Sequence, residues 1–407
     1  MKIGIGYFNG NDGHLAGKTV AQNAMQNGKI DQADLVLGFC NSQVDNDEYF
    51  QGLRSVIGDN VPIIGGSAIG IITNSDLSYE GYPAGAMIIQ SDKLQHQEGV
   101  VEEIDKNEKL AGERLGEKLS ADINGRLMLI FYDSIKYAPT ETTPPIMNAS
   151  PPLIEGIEKT FSSDIPIFGA GLIGDFNFNP TRQFCCSYVG SQSVVGAILG
   201  GAFTPYYRIM HGCSPQDGIY HTITKIKGAS VYELDGKPIV SVIDDLYGNR
   251  DWRKQLPVRR LTVGVNYGEK FEEFREENYV NRLITGTLPD DEGIVLFEPD
   301  LEEGTEILFM LRSPETMMES VRKNSIELMK QIKTDEKAPI FGLYIDCAGR
   351  SAAFSETVNE EASEIQKVFN QYNVPLIGFY SGVEVAPLLG RSRGLDWTGV
   401  LLVLAEG

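Results

Sequence analysis

The chain has 407 residues, a formal charge of −21 and 42% hydrophobic residues, long enough for two or three domains around a large core. The charge is spread along the chain, which argues against nucleic acid, whose phosphates demand basic patches, and against anionic membrane surfaces. No apolar run approaches the roughly 20 residues that a bilayer span needs.

Residues 1–8 read as a first strand, with neither the length nor the small-residue cleavage site of a signal peptide, so a cytoplasmic protein is expected. A helix is predicted over 17–28. Next comes an apolar run at 35–39, an amphipathic helix over 47–57 and the stretch Val61-Pro62-Ile63-Ile64-Gly65-Gly66. That stretch returns as Ile165-Pro166-Ile167-Phe168-Gly169-Ala170 and as Val374-Pro375-Leu376-Ile377-Gly378-Phe379. In each copy Pro sits where a missing N–H is tolerable, and Gly marks a strand end in a turn or a close approach to the backbone.

The surroundings match as well. Apolar runs at 127–132 and 340–345 precede the later copies, and runs at 85–90, 194–200 and 400–404 follow the three. The repeating unit is strand, helix, strand, polar excursion, strand, placed at about 30–95, 125–202 and 338–407. The expected fold is α/β: repeated βαβ units forming a sheet covered by helices. A charged helix over 107–121 links the first two units. A Pro-rich insert over 138–152 follows the strand ending at Tyr132-Asp133-Ser134, as a loop over the carboxyl ends of the strands or as plain surface.

Residues 203–337 have another texture. Strands are predicted at 219–227, 230–234, 261–266, 279–286, 293–297 and 305–311, with helices over 237–247 and 314–333. They describe an α+β module inserted before the third repeat, and the chain divides into 1–202 and 203–407.

Gly212-Cys213-Ser214-Pro215, Val231-Tyr232-Glu233-Leu234-Asp235-Gly236-Lys237-Pro238, Cys347-Ala348-Gly349-Arg350 and Ile377-Gly378-Phe379-Tyr380-Ser381-Gly382-Val383-Glu384 together resemble the FIST family, for F-box and intracellular signal transduction. The resemblance places an N-terminal region at about 30–220 and a C-terminal one at about 221–390. It implies a sensor of small ligands, amino acids among them, in a family often fused to kinase, cyclase or chemoreceptor modules. Some members are haem-based nitric oxide sensors. With no output module or F-box in this chain, the expected output is a partner such as a histidine kinase or cyclase.

If the units are parallel, the residues after their strands cluster at one sheet edge. Asn41, Ser67, Asp133, Asp175, Arg350, Tyr380 and Glu384 are the candidate ligand-binding residues. Arg350 would take a carboxylate and one of the acids an ammonium, or Arg350 pairs with an acid structurally. The turns Gly65-Gly66-Ser67 and Gly169-Ala170-Gly171 could cradle a phosphate or simply end strands. His211 is the haem candidate, although no cofactor or metal is expected. The five cysteines are an odd number without C-x-x-C spacing, which favours reduced thiols; Cys213 or Cys347 as a nucleophile with a His base is the enzymatic alternative.

Overall fold

A computed structural model describes residues 1–119, 124–140, 145–161 and 165–406. The first part of the chain folds as β1 (Lys2–Asn9), α1 (Gly13–Asn27), β2 (Leu35–Cys40), α2 (Asn46–Ile57), β3 (Ile63–Ser67), the hairpin β4 (Ile71–Thr73) and β5 (Leu77–Ser78), and β6 (Pro83–Gln90). The second follows the same plan: β7 (Gln95–Glu102), α3 (Glu108–Leu119), β8 (Gly125–Asp133), the short pair β9 (Ile135–Tyr137) and β10 (Ile146–Met147), α4 (Ser150–Glu158), β11 (Ile167–Leu172), the hairpin β12 (Gln183–Cys185) and β13 (Tyr188–Gly190), and β14 (Ser193–Gly200). Asp12 and Asp45 start α1 and α2 by accepting from the amides of Leu15 and Glu48, which relieves the unpaired donors of a first helical turn.

β15 (Thr204–Met210) then leads into a nine-stranded sheet. Its members are β16 (Cys213–Pro215), β17 (His221–Lys227), β18 (Ser230–Leu234), β19 (Lys237–Pro238), β20 (Leu261–Asn266), β21 (Tyr279–Arg282), β22 (Ile284–Thr287), β23 (Ile294–Leu296) and β24 (Glu306–Arg312), with α5 (Ile239–Tyr247) packed on it. The chain returns through α6 (Pro314–Thr334), β25 (Ala338–Cys347), α7 (Ala352–Ser355), α8 (Ala362–Tyr372), β26 (Leu376–Ser381), the hairpin β27 (Val383–Leu388) and β28 (Arg391–Leu395), and β29 (Gly399–Glu406). β15 pairs with β29, and α6 packs with α8, so these two elements belong with the final part of the chain and not with the inserted module.

The architecture is mixed α/β, but the single sheet expected from sequence is replaced by three six-stranded sheets and the nine-stranded one. β2–β3, β8–β11 and β25–β26 each pair in parallel, and the first strand of each pair takes an antiparallel neighbour, β6, β14 or β29. The polar excursions are hairpins that extend a neighbour's sheet: β12 pairs with β3, β27 with β11 and β4 with β26. Each of the three sheets therefore carries an edge hairpin from another part of the chain, which covers edges that would otherwise be open.

Period-two alternation explains the layering. Leu35, Leu37 and Phe39, with Leu127, Leu129, Phe131, Leu343 and Ile345, face one shared core. Phe39 stacks on Phe379 at 4.1 Å between centroids and meets Phe131 edge-on at 5.2 Å, an arrangement aromatic rings favour. Val36 faces outward to α1 and α2, Met128 and Ile130 to α3 and α4, and Tyr344 to α6 and α8.

The recurring glycine does not end a strand in a turn. β3, β11 and β26 run through Gly65, Gly169 and Gly378, each opposite its parallel partner Gly38, Ile130 or Tyr344. A Cβ there would stand 2.0, 1.8 or 2.5 Å from that partner's carbonyl oxygen. Close backbone approach, not a phosphate cradle, accounts for Gly65-Gly66-Ser67 and Gly169-Ala170-Gly171. Gly169→Ala, at φ 152°, is expected to cost about 2 kcal/mol, measured by urea denaturation; an unchanged midpoint would refute the close-approach account.

Candidate functional site

The carboxyl ends of the three parallel pairs interlock. The Ser42 amide donates to the Gly174 carbonyl at 3.0 Å, the Gly382 amide to Gly171 at 2.9 Å and the Tyr380 amide to Gly70 at 3.2 Å. Segments far apart in sequence are thus brought to one end of the sheets.

There the candidate residues fall into separate small networks. Asn41 donates to the Ile69 carbonyl at 2.8 Å, and Ser67 donates to Asn46 Oδ1 at 2.6 Å while accepting from the Arg182 amide. Asp175 accepts from the amides of Asn177 and Asn179, closing its own loop. Asp133 accepts from the amides of Ile135 and Gln192, and burial pushes its carboxyl up to about 6. Tyr380 donates to Glu360 at 3.0 Å. Glu384 accepts from Ser381 at 2.9 Å, and burial holds its carboxyl well above the usual range.

Arg350 pairs with none of the acids singled out with it. It is fully buried and grips Glu361 in bidentate fashion, Nε to Oε1 at 2.5 Å and Nη2 to Oε2 at 2.7 Å. Its Nη1 donates to the carbonyls of His211 and Trp397, and Asp346 Oδ1 lies 3.4 Å from Nε.

Around this pair lies a buried polar centre that the sequence reading missed. Both carboxylate oxygens of Asp346 are buried beside Glu361 without a donor, and Ser134 Oγ, Asp396 Oδ1 and Trp397 Nε1 are buried without a hydrogen-bond partner, while Tyr132 Oη and Ser150 Oγ have each other. Buried polar atoms are ordinarily paired, so a group of orphans at one end of the sheets is a place for a ligand or water. Burial, then repulsion from Glu361, lifts the Asp346 carboxyl far above the ordinary range. Burial, then the charge of Asp396, raises Glu298 to about 8, and burial raises Asp396 to about 6. Arg282, also buried, pairs with Asp300 and lies 3.8 Å from Asp396. Carboxyls outnumber guanidiniums here and burial favours their neutral form; a cation among them would favour the ionised form instead. Asp346 sits in the apolar run of β25 and Glu298 just beyond β23; a charged residue inside or next to a buried strand was the available signal.

His211 has both ring nitrogens engaged: Nε2 with the Glu276 carbonyl at 2.9 Å and Nδ1 accepting from the Cys213 amide at 2.9 Å. Burial pushes the Cys213 thiol up to about 12 and the Cys347 thiol up as well, which favours the protonated form of each. Among the described residues, no group of three or more His, Cys, Asp or Glu could hold a metal ion, and no helix is long and apolar enough to cross a membrane.

A mixed α/β architecture with a buried, acid-rich polar centre is the class of protein that these observations define. The chain belongs to the FIST family: the FIST N domain matches residues 34–237 and the FIST C domain residues 240–387. FIST domains are signal-transduction sensor domains. The chain is 25% identical to an uncharacterised protein of Methanocaldococcus jannaschii, over 97% of this chain and 77% of that one. It is 21% identical to uncharacterised proteins of Mycobacterium bovis and Mycobacterium tuberculosis, over 60% of this chain and 62% of each of theirs. PurLQS from Thermotoga maritima aligns over 100% of this chain and 72% of that one at 8% identity, with a TM-score of 0.22, too low to carry an argument.

Proposed function

We propose that the protein is a sensor of a small molecule bearing an ammonium group, an amino acid being the simplest case, which passes its signal to a partner such as a histidine kinase or cyclase. The observation that carries this reading is Asp346: fully buried beside the Glu361 carboxyl, with no donor hydrogen-bonded to either of its own carboxylate oxygens, at the end where the parallel strands converge. An ammonium group supplies three donors and a positive charge, which would satisfy those oxygens and favour their ionised form. Arg350, held by Glu361, then positions Asp346, and the hydroxyls of Ser134 and Ser150 supply further polar contacts.

A thermal-shift screen across amino acids and related amines tests this, because a ligand that binds only the folded state stabilises it by about 2.7 kcal/mol at 100 times its Kd. Asp346→Asn keeps the shape of the protonated acid and should fold, yet weaken binding by about tenfold or more through loss of the charge-assisted contact. If no amine raises the melting temperature, or Asp346→Asn binds as well as the native chain, the reading fails.

A further inference from the structure

We propose a second site, for a phosphate dianion, where Arg312, Arg259 and Arg260 meet at the amino end of α6. Arg312 is 7% exposed and forms no ion pair among the described residues. Its hydrogen bonds go to neutral acceptors only: the Gly349 carbonyl at 3.0 Å, Ser355 Oγ at 3.1 Å, the Arg259 carbonyl at 3.3 Å and Met317 Sδ at 3.5 Å. Its Nε is buried without any partner. A buried charge is ordinarily paired, so a guanidinium of this kind marks a place for an anion. Its ring neighbour, Trp397, lies 3.9 Å away and offers only a cation–π contact.

The surroundings share the same sign. α6 begins at Ser313, whose side chain caps the Thr316 amide, and points the positive end of a 21-residue helix at the site. Arg259 and Arg260 approach from the segment before β20, and each reaches Glu356, at 3.5 and 3.6 Å. Two guanidiniums therefore share one carboxylate and the third, Arg312, lines the same cavity without one, in a chain whose overall charge is −21. Glu356 is 56% exposed at its side chain and sits in left-handed backbone, φ 59°, just after the four-residue α7. With Phe354, Ser355 and Glu356 in place, the cavity lined by these arginines measures about 20 Å³, room for about one water. Glu356 thus occupies the place of the anion, and a phosphate displaces it. A dianion matches the charge left over, and arginine forks suit its oxygens.

The test is titration calorimetry of the intact protein with inorganic phosphate and, separately, glycerol 3-phosphate, both against chloride at matched ionic strength. The two arms separate free phosphate from a phosphomonoester. Arg312 is part of the interior, so the informative variants are the exposed ones. Arg259→Ala with Arg260→Ala should weaken binding about tenfold or more while leaving the melting temperature in chloride unchanged. Glu356→Gln removes the resident carboxylate and should tighten binding about two- to fivefold, the range of an exposed ion pair. No saturable heat with either anion, or Glu356→Gln binding no tighter than the native chain, would overturn the proposal.

Discussion

Arg350→Ala is expected to lower stability by about 3–5 kcal/mol, because it leaves a buried acid pair without its cation. Glu361 loses both arms of a bidentate contact, and Asp346, 3.4 Å from Nε, loses the only cation within ion-pair distance among the described residues. The carbonyls of His211 and Trp397 lose their shared donor as well, which unties the start of the inserted module from the loop before β29. Urea denaturation at pH 7 should show a lower midpoint with an unchanged slope. The double variant Arg350→Met with Glu361→Met should recover much of the loss, since removing a buried pair is far cheaper than removing half of it. A loss below about 1 kcal/mol for Arg350→Ala would show that Arg350 does not anchor this interior.

That result would also separate two roles left open by the sequence. Arg350 is legible as a lone cation after an apolar strand, but Glu361 stands 11 residues on, in the stretch 359–372 that the sequence shows only as a helix. Bidentate geometry depends on how α7 and α8 fold back over β25, and no local pattern encodes that. Strands and helices were legible where periodicity was clean: 230–234 and 261–266 match β18 and β20 to the residue. β7, with polar Gln95, Gln97 and Glu98, was not, because it forms the edge of its sheet and only part of it is buried. The separation into three sheets was illegible for a related reason. The hairpins that join them are two to six residues per strand, and their pairing partners lie far away in sequence. Gly65, Gly169 and Gly378 carried the true signal: three glycines at equivalent places imply three equivalent close approaches.

The native chain is expected to lose stability as pH rises from about 4.5 to about 8, and Glu298→Gln is expected to remove its own share of that loss. Glu298 is raised from 4.5 to about 8, first by burial and then by the charge of Asp396. Between those values the folded chain holds a proton that the unfolded chain has released, so each pH unit costs about 1.4 kcal/mol and the full window about 4–5 kcal/mol. Asp396 and Asp133, raised from 3.8 to about 6, act in the same direction at lower pH, and Asp346 and Glu384, held well above their ordinary values by burial, act beside Glu298. His211 opposes them: burial lowers it, so its contribution grows as pH rises to its ordinary value of 6.5 and then ends. From pH 6.5 to 8 the difference between the native chain and Glu298→Gln therefore isolates Glu298. Glu298→Gln keeps an oxygen to accept from the Ser150 amide while removing the titration. Denaturation curves of both proteins across pH 4.5–8 should diverge steadily, the variant being relatively more stable at the alkaline end. Parallel curves would mean that Glu298 ionises normally in the folded chain. An ammonium-bearing ligand at Asp346 should flatten the native curve as well, because a cation in this centre favours the ionised carboxyls that burial otherwise suppresses.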